Sequence, residues 1–168
     1  KNLDEKAMYF SLGGHPAFTC PLYKNEHYTD YALEFDTTES SSSYLLNINN
    51  GLITNRTKPV FTDGNIINLR GDLFNDDALI FKDLESRKIT LNHKTKGAVL
   101  SVKFDGFPYL GVWAKPNAPY VCIEPWLGIA DSETTNQKIE DKEGIIKLEP
   151  GSVFDASYSI EIDKRHLV

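Results

Sequence analysis

The sequence of 168 residues predicts an all-β fold whose strands pair in antiparallel fashion. From Ala7 onward, short segments rich in β-branched and aromatic residues alternate with turn residues, which is typical of strands and their connections. Almost no window has the apolar spacing of an amphipathic helix. Asp105–Gly106 and Glu149–Gly151 consist of residue types that form tight turns between antiparallel strands. Consecutive segments are therefore expected to lie side by side.

The strand-like segments follow one another along the chain at intervals set by these turn residues. Each has the apolar or alternating pattern that a buried or half-buried strand requires. Neither a repeat nor a change in composition divides the chain, so residues 1–168 are predicted to form a single domain. In chain order, the predicted strands are Ala7–Ser11, Tyr31–Phe35, Tyr44–Ile48, Asn65–Leu69, Ala78–Lys82, Lys88–Asn92, Val99–Phe104, Leu110–Lys115, Tyr120–Glu124, Ile145–Leu148 and Phe154–Ile162.

The last predicted strand, Phe154–Ile162, has the most regular alternation in the sequence. Polar side chains occupy every second position from Asp155 to Glu161, which indicates a face in contact with water. The opposite face is therefore expected to be buried. It carries Phe154, Ala156, Tyr158, Ile160 and Ile162.

Three stretches lack a strand pattern. Gly71–Asp77 is predicted to form one helical turn, and Ala130–Lys142 is predicted to be a loop because it is polar and has no periodicity. The serine-rich stretch Ser40–Ser43 is expected at the end of a hairpin, because strand-like residues resume directly after it.

The charge balance disfavours binding to nucleic acid. The chain has 18 basic and 24 acidic side chains and a net charge of −6, so it lacks the positive surface that neutralises phosphates. No segment is apolar enough to span a bilayer and no signal peptide opens the sequence, which predicts a cytoplasmic protein without membrane contact. The few arginines are not adjacent, which weighs mildly against a site for phosphorylated substrates: Arg56, Arg70, Arg87 and Arg165.

Cys20 and Cys122 are the cysteines of the sequence, and neither belongs to a C-x-x-C pair. This pattern gives little support for a disulfide framework or a zinc site, so both are expected to be reduced, packed thiols and no metal is expected. The sequence also lacks a P-loop, a dinucleotide fingerprint, and the H-E-x-x-H and G-x-S-x-G motifs. Phosphoryl transfer, hydride transfer and serine hydrolysis therefore lack their usual signs.

Two widely separated segments each place one titratable side chain among apolar neighbours. In Gly13–Phe18, the paired glycines let the backbone approach another group closely, and Pro16 stiffens the chain after His15. In Tyr120–Trp126, Glu124 ends a strand that reads as buried on both faces, where an unpaired carboxylate is costly. A histidine and a glutamate that meet across a sheet can act as general acid and base. The structural alternative for His15 is a packed histidine.

Three further residues are candidates for contact with a ligand. Trp126 offers a flat apolar face of the kind that stacks on the C–H surface of a sugar, although tryptophan also packs cores, and Phe18 supplies an apolar wall. Asp76 and Asp77 precede a strand, where a carboxylate can bind a sugar hydroxyl or belong to a solvated turn. Pro125 is expected to end the strand of Glu124. The other histidines lie in polar or terminal segments and are predicted to be at the surface: His27, His93 and His166.

These motifs resemble those of aldose 1-epimerases, most closely the bacterial galactose mutarotase-like branch associated with lactose and galactose operons. The resemblance is carried by Met8–Phe18, Asp77–Phe81 and Gly111–Trp126, and it extends across essentially the whole chain. It implies a large antiparallel β-sandwich, the galactose mutarotase-like supersandwich. It also implies an isomerase that acts on free monosaccharides such as galactose or glucose without a metal or an organic cofactor.

By the same resemblance, His15 is the general acid that protonates the ring oxygen, and Glu124 is the general base that takes the proton of the anomeric hydroxyl. Asp77 corresponds to the sugar-binding aspartate of the family, with Asp76 as the neighbouring alternative, and Trp126 corresponds to a wall of the cleft. The interpretation from the residues agrees, because ring opening needs one acid and one base on opposite sides of a sugar.

Family members have a substantial N-terminal portion that supplies further strands, a sugar-contacting arginine and another histidine, and nothing in this chain corresponds to it. The chain is therefore expected to be the C-terminal part of a longer protein, with the N-terminal portion as its partner. Two alternatives stay open. One is an epimerase of hexose 6-phosphates, which the scarce arginines disfavour, and the other is a carbohydrate-binding β-sandwich without catalysis.

Overall fold

A computed structural model describes residues 1–166, so the predicted domain of residues 1–168 ends two residues beyond the described part. The prediction of an all-β fold with antiparallel pairing is confirmed, because every pair of neighbouring strands in the three sheets is antiparallel. Short 3₁₀ turns at Tyr28–Asp30, Ile139–Asp141 and Lys164–His166 are the helical elements of the described residues. The strands are β1 (Met8–Phe10), β2 (Ala17–Thr19), β3 (Tyr31–Phe35), β4 (Ser43–Leu46), β5 (Ile53–Lys58), β6 (Ile66–Asn68), β7 (Leu79–Phe81), β8 (Lys88–His93), β9 (Gly97–Lys103), β10 (Tyr109–Trp113), β11 (Tyr120–Trp126), β12 (Ile146–Leu148) and β13 (Ser159–Ile162).

Two large sheets form a sandwich. One has the strand order β2-β11-β10-β7-β4-β5, the other has the order β13-β9-β8-β3-β6, and a separate small sheet pairs β1 with β12. The main core lies between the two large sheets, because it contains fully buried side chains from both, including Val112 and Ile123 from the first and Leu33 and Val102 from the second. Alternation along each strand sends these side chains inward and leaves the next residue for the outer face.

The outer face of the six-stranded sheet carries a second, smaller apolar cluster. In β7, Leu79 and Phe81 point into the main core, whereas Ile80 between them packs with Ile53 and Ile129 on the other side. Trp126 packs against this second cluster. The central part of the six-stranded sheet is therefore buried on both faces.

The prediction for Phe154–Ile162 is wrong in its length and in its burial. The strand begins only at Ser159, and Ile160 is 41% exposed although it pairs with the fully buried Val102. Strand β13 lies at the edge of its sheet and pairs with β9 alone, so it has a packing neighbour on one side only. Ile162 is exposed for the same reason, and Tyr158, which precedes the strand, is also exposed. Of the predicted inward residues, Phe154 packs against the main core.

Two strands were absent from the sequence prediction. Strand β5 is an edge strand whose sequence is mostly polar, and β2 is a three-residue strand directly after the Gly-Gly-His-Pro loop. Pro125 also lies within β11 instead of ending it, and it pairs with Leu110. A proline removes only a donor, and the Pro125 carbonyl still accepts a hydrogen bond of 2.9 Å from the backbone N–H of Gly14.

The connections follow the sequence in most places. Asp105–Gly106 and Pro150–Gly151 form turns as predicted, and residues 130–142 form a loop that includes one 3₁₀ turn. Gly71–Asp77 consists of successive turns rather than a helical turn, and Ser43 is already the first residue of β4. No helix in residues 1–166 combines the length and the apolar character needed to cross a membrane.

Candidate active site

Strand β11 directs one of its faces away from the main core, and this face carries the chemistry. Val121 and Ile123 point into the core between the large sheets, so the alternate residues Cys122, Glu124 and Trp126 lie on the outer face. The side chain of Glu124 is nevertheless only 5% exposed. The sequence prediction of a buried carboxylate in this strand is confirmed.

His15 is brought to Glu124 by a loop that runs beside β11. The backbone N–H of Gly14 donates to the Pro125 carbonyl at 2.9 Å, and the N–H of Ile123 donates to the Pro16 carbonyl at 3.2 Å. These bonds hold the loop on both sides of His15, whose Nε2 lies 3.5 Å from Oε1 of Glu124. The His15 side chain is 65% exposed, so the pair consists of one accessible and one enclosed partner.

Trp126 is fixed by its indole nitrogen and by two glycines. Its Nε1–H donates to Oε2 of Glu124 at 3.3 Å. A Cβ atom placed on Gly111 would lie 2.3 Å from the indole, and one on Gly13 would lie 2.6 Å from it. Only residues without a side chain leave room for the ring at both positions, so the sequence around the tryptophan sets its orientation.

The second glycine of the pair has a contact of its own. A Cβ atom on Gly14 would lie 2.6 Å from the ring of Tyr158, which packs against the backbone immediately before His15. Tyr158 is itself in edge contact with Phe107, at 6.0 Å between ring centroids. The close backbone approach predicted for the glycine pair therefore occurs on both sides of the loop.

Asp77 lies in the same cleft, and Asp76 makes a contact elsewhere. The backbone of Asp77 has a φ of +78°, a conformation that few residues other than glycine adopt, and its Oδ1 accepts a hydrogen bond of 2.7 Å from the N–H of Ala78. Asp76 instead forms an ion pair of 3.0 Å with Lys58. The structure thus separates two aspartates that the sequence left as alternatives. Strained backbone of this kind is common at functional sites.

The cleft around these residues has a volume of about 310 Å³, at the lower end of the range for small-molecule sites. Its lining is mostly apolar, and its ionisable side chains are those of His15, Asp77 and Glu124. Trp113 is a lining residue that sequence reasoning missed, because its position opposite Cys122 follows only from the pairing of β10 with β11. The lining residues are His15, Leu46, Asp77, Ala78, Ile80, Trp113, Glu124, Trp126 and Ala130.

Phe18 is the predicted site residue that the structure does not bring to the cleft. It lies in β2, pairs with Val121 and packs against the main core. The alternation of β2 leaves Ala17 and Thr19 more exposed than Phe18. The wall that Phe18 was expected to supply is formed by Trp113 and Trp126.

The environment of Glu124 favours a carboxyl group that binds its proton more tightly than usual. Burial raises the pKa of Glu124, while a positive charge on His15 and the hydrogen bond from Trp126 lower it, and burial prevails. The neighbouring thiol of Cys122 is buried as well, and burial followed by the charge of Glu124 raises its pKa to about 11. The site therefore holds a carboxylate of raised basicity next to an accessible imidazole.

A second glutamate and histidine pair lies in another part of the molecule. His93 was predicted to be at the surface, but it is only 8% exposed and its Nε2 lies 3.6 Å from Oε1 of Glu26. It is buried because β8 alternates and sends Ile89, Leu91 and His93 to the same side. Its Nδ1 lies 3.2 Å from the N–H of Thr95, within the turn to β9.

Comparisons with known proteins find relatives that match nearly the whole chain. Two forms of Protein LacX from Lactococcus lactis subsp. lactis, one plasmid and one chromosomal, are each 37% identical over 160 residues, which is 94% of this chain and 54% of theirs. The chain thus spans about half the length of the curated relatives it matches. No protein-family model matches the sequence.

Solved structures agree with this result. A galactose mutarotase related enzyme from Lactobacillus acidophilus has a TM-score of 0.83 at 30% identity and covers 96% of this chain, which covers 54% of the enzyme. A galactose mutarotase-like protein from Lactobacillus casei has a TM-score of 0.81 at 25% identity, with coverage of 95% and 55%. The chain therefore shares the fold of galactose mutarotase-like proteins and corresponds to about half of their length.

Proposed function

We propose that this galactose mutarotase-like chain is part of an aldose 1-epimerase, an isomerase that interconverts the α and β anomers of free hexoses such as galactose or glucose. His15 acts as the general acid and Glu124 as the general base. His15 protonates the ring oxygen while Glu124 takes the proton of the anomeric hydroxyl, and the ring opens to the aldehyde. Rotation about the C1–C2 bond and the reverse proton transfers then give the other anomer.

The observation that carries this proposal is the separation of 3.5 Å between His15 and Glu124 at the floor of a cleft. From the sequence, the acid and the base were expected on opposite sides of the sugar, but a separation of 3.5 Å leaves no room for a sugar between them. The ring oxygen and the anomeric hydroxyl are bonded to the same carbon, so an acid and a base that lie side by side can each reach one of these oxygens. Each group must come within hydrogen-bond reach of its oxygen, and a pair separated by one small gap meets this requirement. The raised pKa of Glu124 suits a base that removes a proton from a hydroxyl.

The cleft walls support a sugar as the ligand. Trp113 and Trp126 offer apolar faces for the C–H surfaces of a pyranose, and the carboxylate of Asp77 can accept a hydrogen bond from a hydroxyl. The Trp126 ring also donates to Glu124, so the wall that contacts the sugar is tied directly to the base. In this proposal, Asp77 and Trp126 bind substrate and Phe18 has no direct contact with it.

A phosphorylated hexose is a weaker candidate for this part of the protein. Among the described residues, the cleft lining contains no lysine or arginine, and His15 is its single basic side chain. Phosphate recognition normally uses cations that contact its oxygens. The lining therefore favours a neutral sugar.

The experiment that tests the proposal is anomeric-proton exchange NMR, supported by polarimetry, on freshly dissolved α-D-galactose and α-D-glucose with the intact protein. Acceleration over buffer that is lost in Glu124→Gln is the expected result. The glutamine amide oxygen can still accept the hydrogen bond from Trp126, and circular dichroism checks that the variant is folded.

Three results would contradict the proposal. Wild-type exchange rates in folded Glu124→Gln would show that Glu124 is not the general base. Sugar binding without exchange by the intact protein would make it a carbohydrate-binding sandwich. Acceleration confined to hexose 6-phosphates would show that the substrate is a phosphorylated hexose and not a free one.

A further inference from the structure

The thiol of Cys122 is buried beside the site, does not line the cleft and has no part in the proposed proton transfers. It lies two residues before Glu124 on the same face of β11, and the residue is only 1% exposed. A ring nitrogen of His15, the Sγ of Cys122 and a carboxylate oxygen of Glu124 all lie within 4.8 Å of one another. The three side chains thus converge on one point.

These three donor types form a typical set for a soft or borderline divalent ion. Thiolate, imidazole and carboxylate bind Zn²⁺ at about 2.0–2.3 Å, which places ligand atoms of a tetrahedral site roughly 3.3–3.7 Å apart. The distance of 3.5 Å between His15 and Glu124 already fits this spacing. The remaining distances, at most 4.8 Å, require a closure of about 1 Å.

The movement that completes the site is available. The ladder of β11 fixes the backbones of Cys122 and Glu124 but leaves their side chains free to rotate, and the His15 side chain is 65% exposed and follows two glycines. The exposed imidazole can approach the two buried ligands without rearrangement of the core.

We propose that His15, Cys122 and Glu124 form an inhibitory binding site for a divalent transition-metal ion such as Zn²⁺ or Cd²⁺. Binding replaces the proton of the Cys122 thiol, which is released to solvent, and the ion is not oxidised or reduced. The ion occupies both the imidazole nitrogen and the carboxylate that the proposed epimerase needs. The inhibitory part of this inference rests on the proposed function, whereas metal binding itself does not.

The chain supplies a matched control in Cys20. This thiol is also buried, and it lies in the main core directly after β2, near Glu26. In the described residues, the cluster of His15, Cys122 and Glu124 is the group whose donors converge closely enough for an ion, and Cys20 belongs to no such group. A serine at either cysteine removes one thiol and changes little volume.

The test is a titration of the intact, reduced protein with Cd²⁺, followed by the ultraviolet charge-transfer band of a cadmium thiolate. The expected result is a band that saturates at one ion per chain, disappears in Cys122→Ser and persists in Cys20→Ser. His15→Gln alters an exposed side chain and keeps the thiol, so it tests the site even if Cys122→Ser fails to fold. It is expected to weaken Cd²⁺ binding at least about tenfold, the cost of losing even an outer-shell partner of a metal ligand.

Separate outcomes distinguish this inference from the proposed function. No band at saturating Cd²⁺, a band that survives in folded Cys122→Ser, or unchanged affinity in His15→Gln would overturn the site. A saturating band in a protein that catalyses no mutarotation would support the metal site and contradict the proposed epimerase function. Mutarotation that continues at full rate with Cd²⁺ bound would overturn the inhibition.

Discussion

Two regions of the molecule contain a buried glutamate beside a histidine, and they treat the carboxyl group in opposite ways. Glu124 faces His15 at 3.5 Å, and Glu26 faces His93 at 3.6 Å. Both glutamate side chains are 5% exposed. The pairs therefore match in residue type, in distance and in the exposure of the glutamate side chain, whereas the histidine side chains differ, at 65% exposed for His15 and 9% for His93.

The number of hydrogen-bond donors distinguishes the two carboxylates. Burial raises the pKa of Glu26, but hydrogen bonds from Lys96, Tyr31 and the Tyr23 backbone, with the charge of Lys96, outweigh burial and lower its pKa to about 2. Glu124 receives one donor, the Trp126 indole at 3.3 Å, and its pKa is raised. A fully satisfied carboxylate stays ionised and anchors structure, whereas a partly satisfied one retains affinity for a proton.

The largest expected contrast comes from the same change made in each pair. Glu124→Gln is expected to lower catalysed mutarotation at least about 100-fold with little change in stability, since general acid–base catalysis contributes this much or more. Glu26→Gln is expected to leave the rate within about twofold but to lower the free energy of unfolding by about 1–3 kcal/mol, because buried donors lose a charged acceptor. NMR exchange and urea unfolding of both variants measure the two effects. A rate loss in Glu26→Gln equal to that in Glu124→Gln would contradict the distinction between a catalytic Glu124 and a structural Glu26.

A second contrast compares two glycine substitutions, one that displaces the Trp126 indole and one that affects only the backbone. In Gly111→Ala, the new methyl group would meet the Trp126 ring at 2.3 Å, so the indole must move away from Glu124. The catalysed rate is expected to fall about 10- to 100-fold, the scale of an ångström misplacement in a site. Gly106→Ala is the control, because Gly106 has a φ of +80° and nothing within 4 Å. It is expected to cost stability alone, and equal rate losses in both variants would contradict the role of the ring.

A smaller effect is expected for Asp77, which lines the cleft. Asp77→Asn keeps the acceptor for Ala78 N–H but removes the charge that faces the sugar, so KM is expected to rise about tenfold with a smaller change in kcat. Asp76→Asn is the matched control, because Asp76 pairs with Lys58 on an exposed surface where such pairs contribute little. Saturation kinetics of the two variants give the comparison. A larger rise in KM for Asp76→Asn would assign the sugar contact to the other aspartate.

The smallest expected effect is a difference in pH response between the two pairs. The base must be ionised, so the catalysed rate is expected to fall on acidification around an apparent pKa above the ordinary glutamate value of 4.5. Glu26 has a lowered pKa, so its contribution to stability is present above about pH 4.5 and is lost as pH falls towards 2. The pH dependence of the catalysed rate tests the expectation for Glu124. The free energy of unfolding of wild type and Glu26→Gln, measured across the same pH range, tests the expectation for Glu26. An apparent pKa at or below 4.5 in the acid limb of the pH–rate profile would contradict a raised pKa for Glu124.

Much of the site could be predicted from the sequence because its residues stand in unusual local settings. A glutamate within an apolar strand and a histidine after two glycines are visible without knowledge of the fold. Their meeting depends on the pairing of β2 with β11, which short-range patterns do not specify. The strands of the sandwich were predicted where alternation or apolar runs mark a buried face, and missed in β5, where the sequence is polar.

The errors have a common physical cause. His93 was assigned to the surface from its polar neighbours, but it lies on the buried side of β8, opposite Tyr31 of β3. Phe18 was expected in the cleft but packs in the core, and Trp113 was missed although it lines the cleft, since the side of the sheet that each faces depends on register. In β13 the alternation is real, but an edge position leaves its apolar face exposed. Local pattern gives periodicity, and long-range pairing decides what each face contacts.

The fixed indole of Trp126 also makes the site observable by light. The chain has two tryptophans, Trp113 and Trp126, and both line the cleft. All indole fluorescence of this chain therefore originates from the walls of the site, and one of the two emitters is hydrogen-bonded to Glu124. In a Trp113→Phe background, the emission of this chain reports on the protonation of a single carboxyl group and on whatever enters beside it.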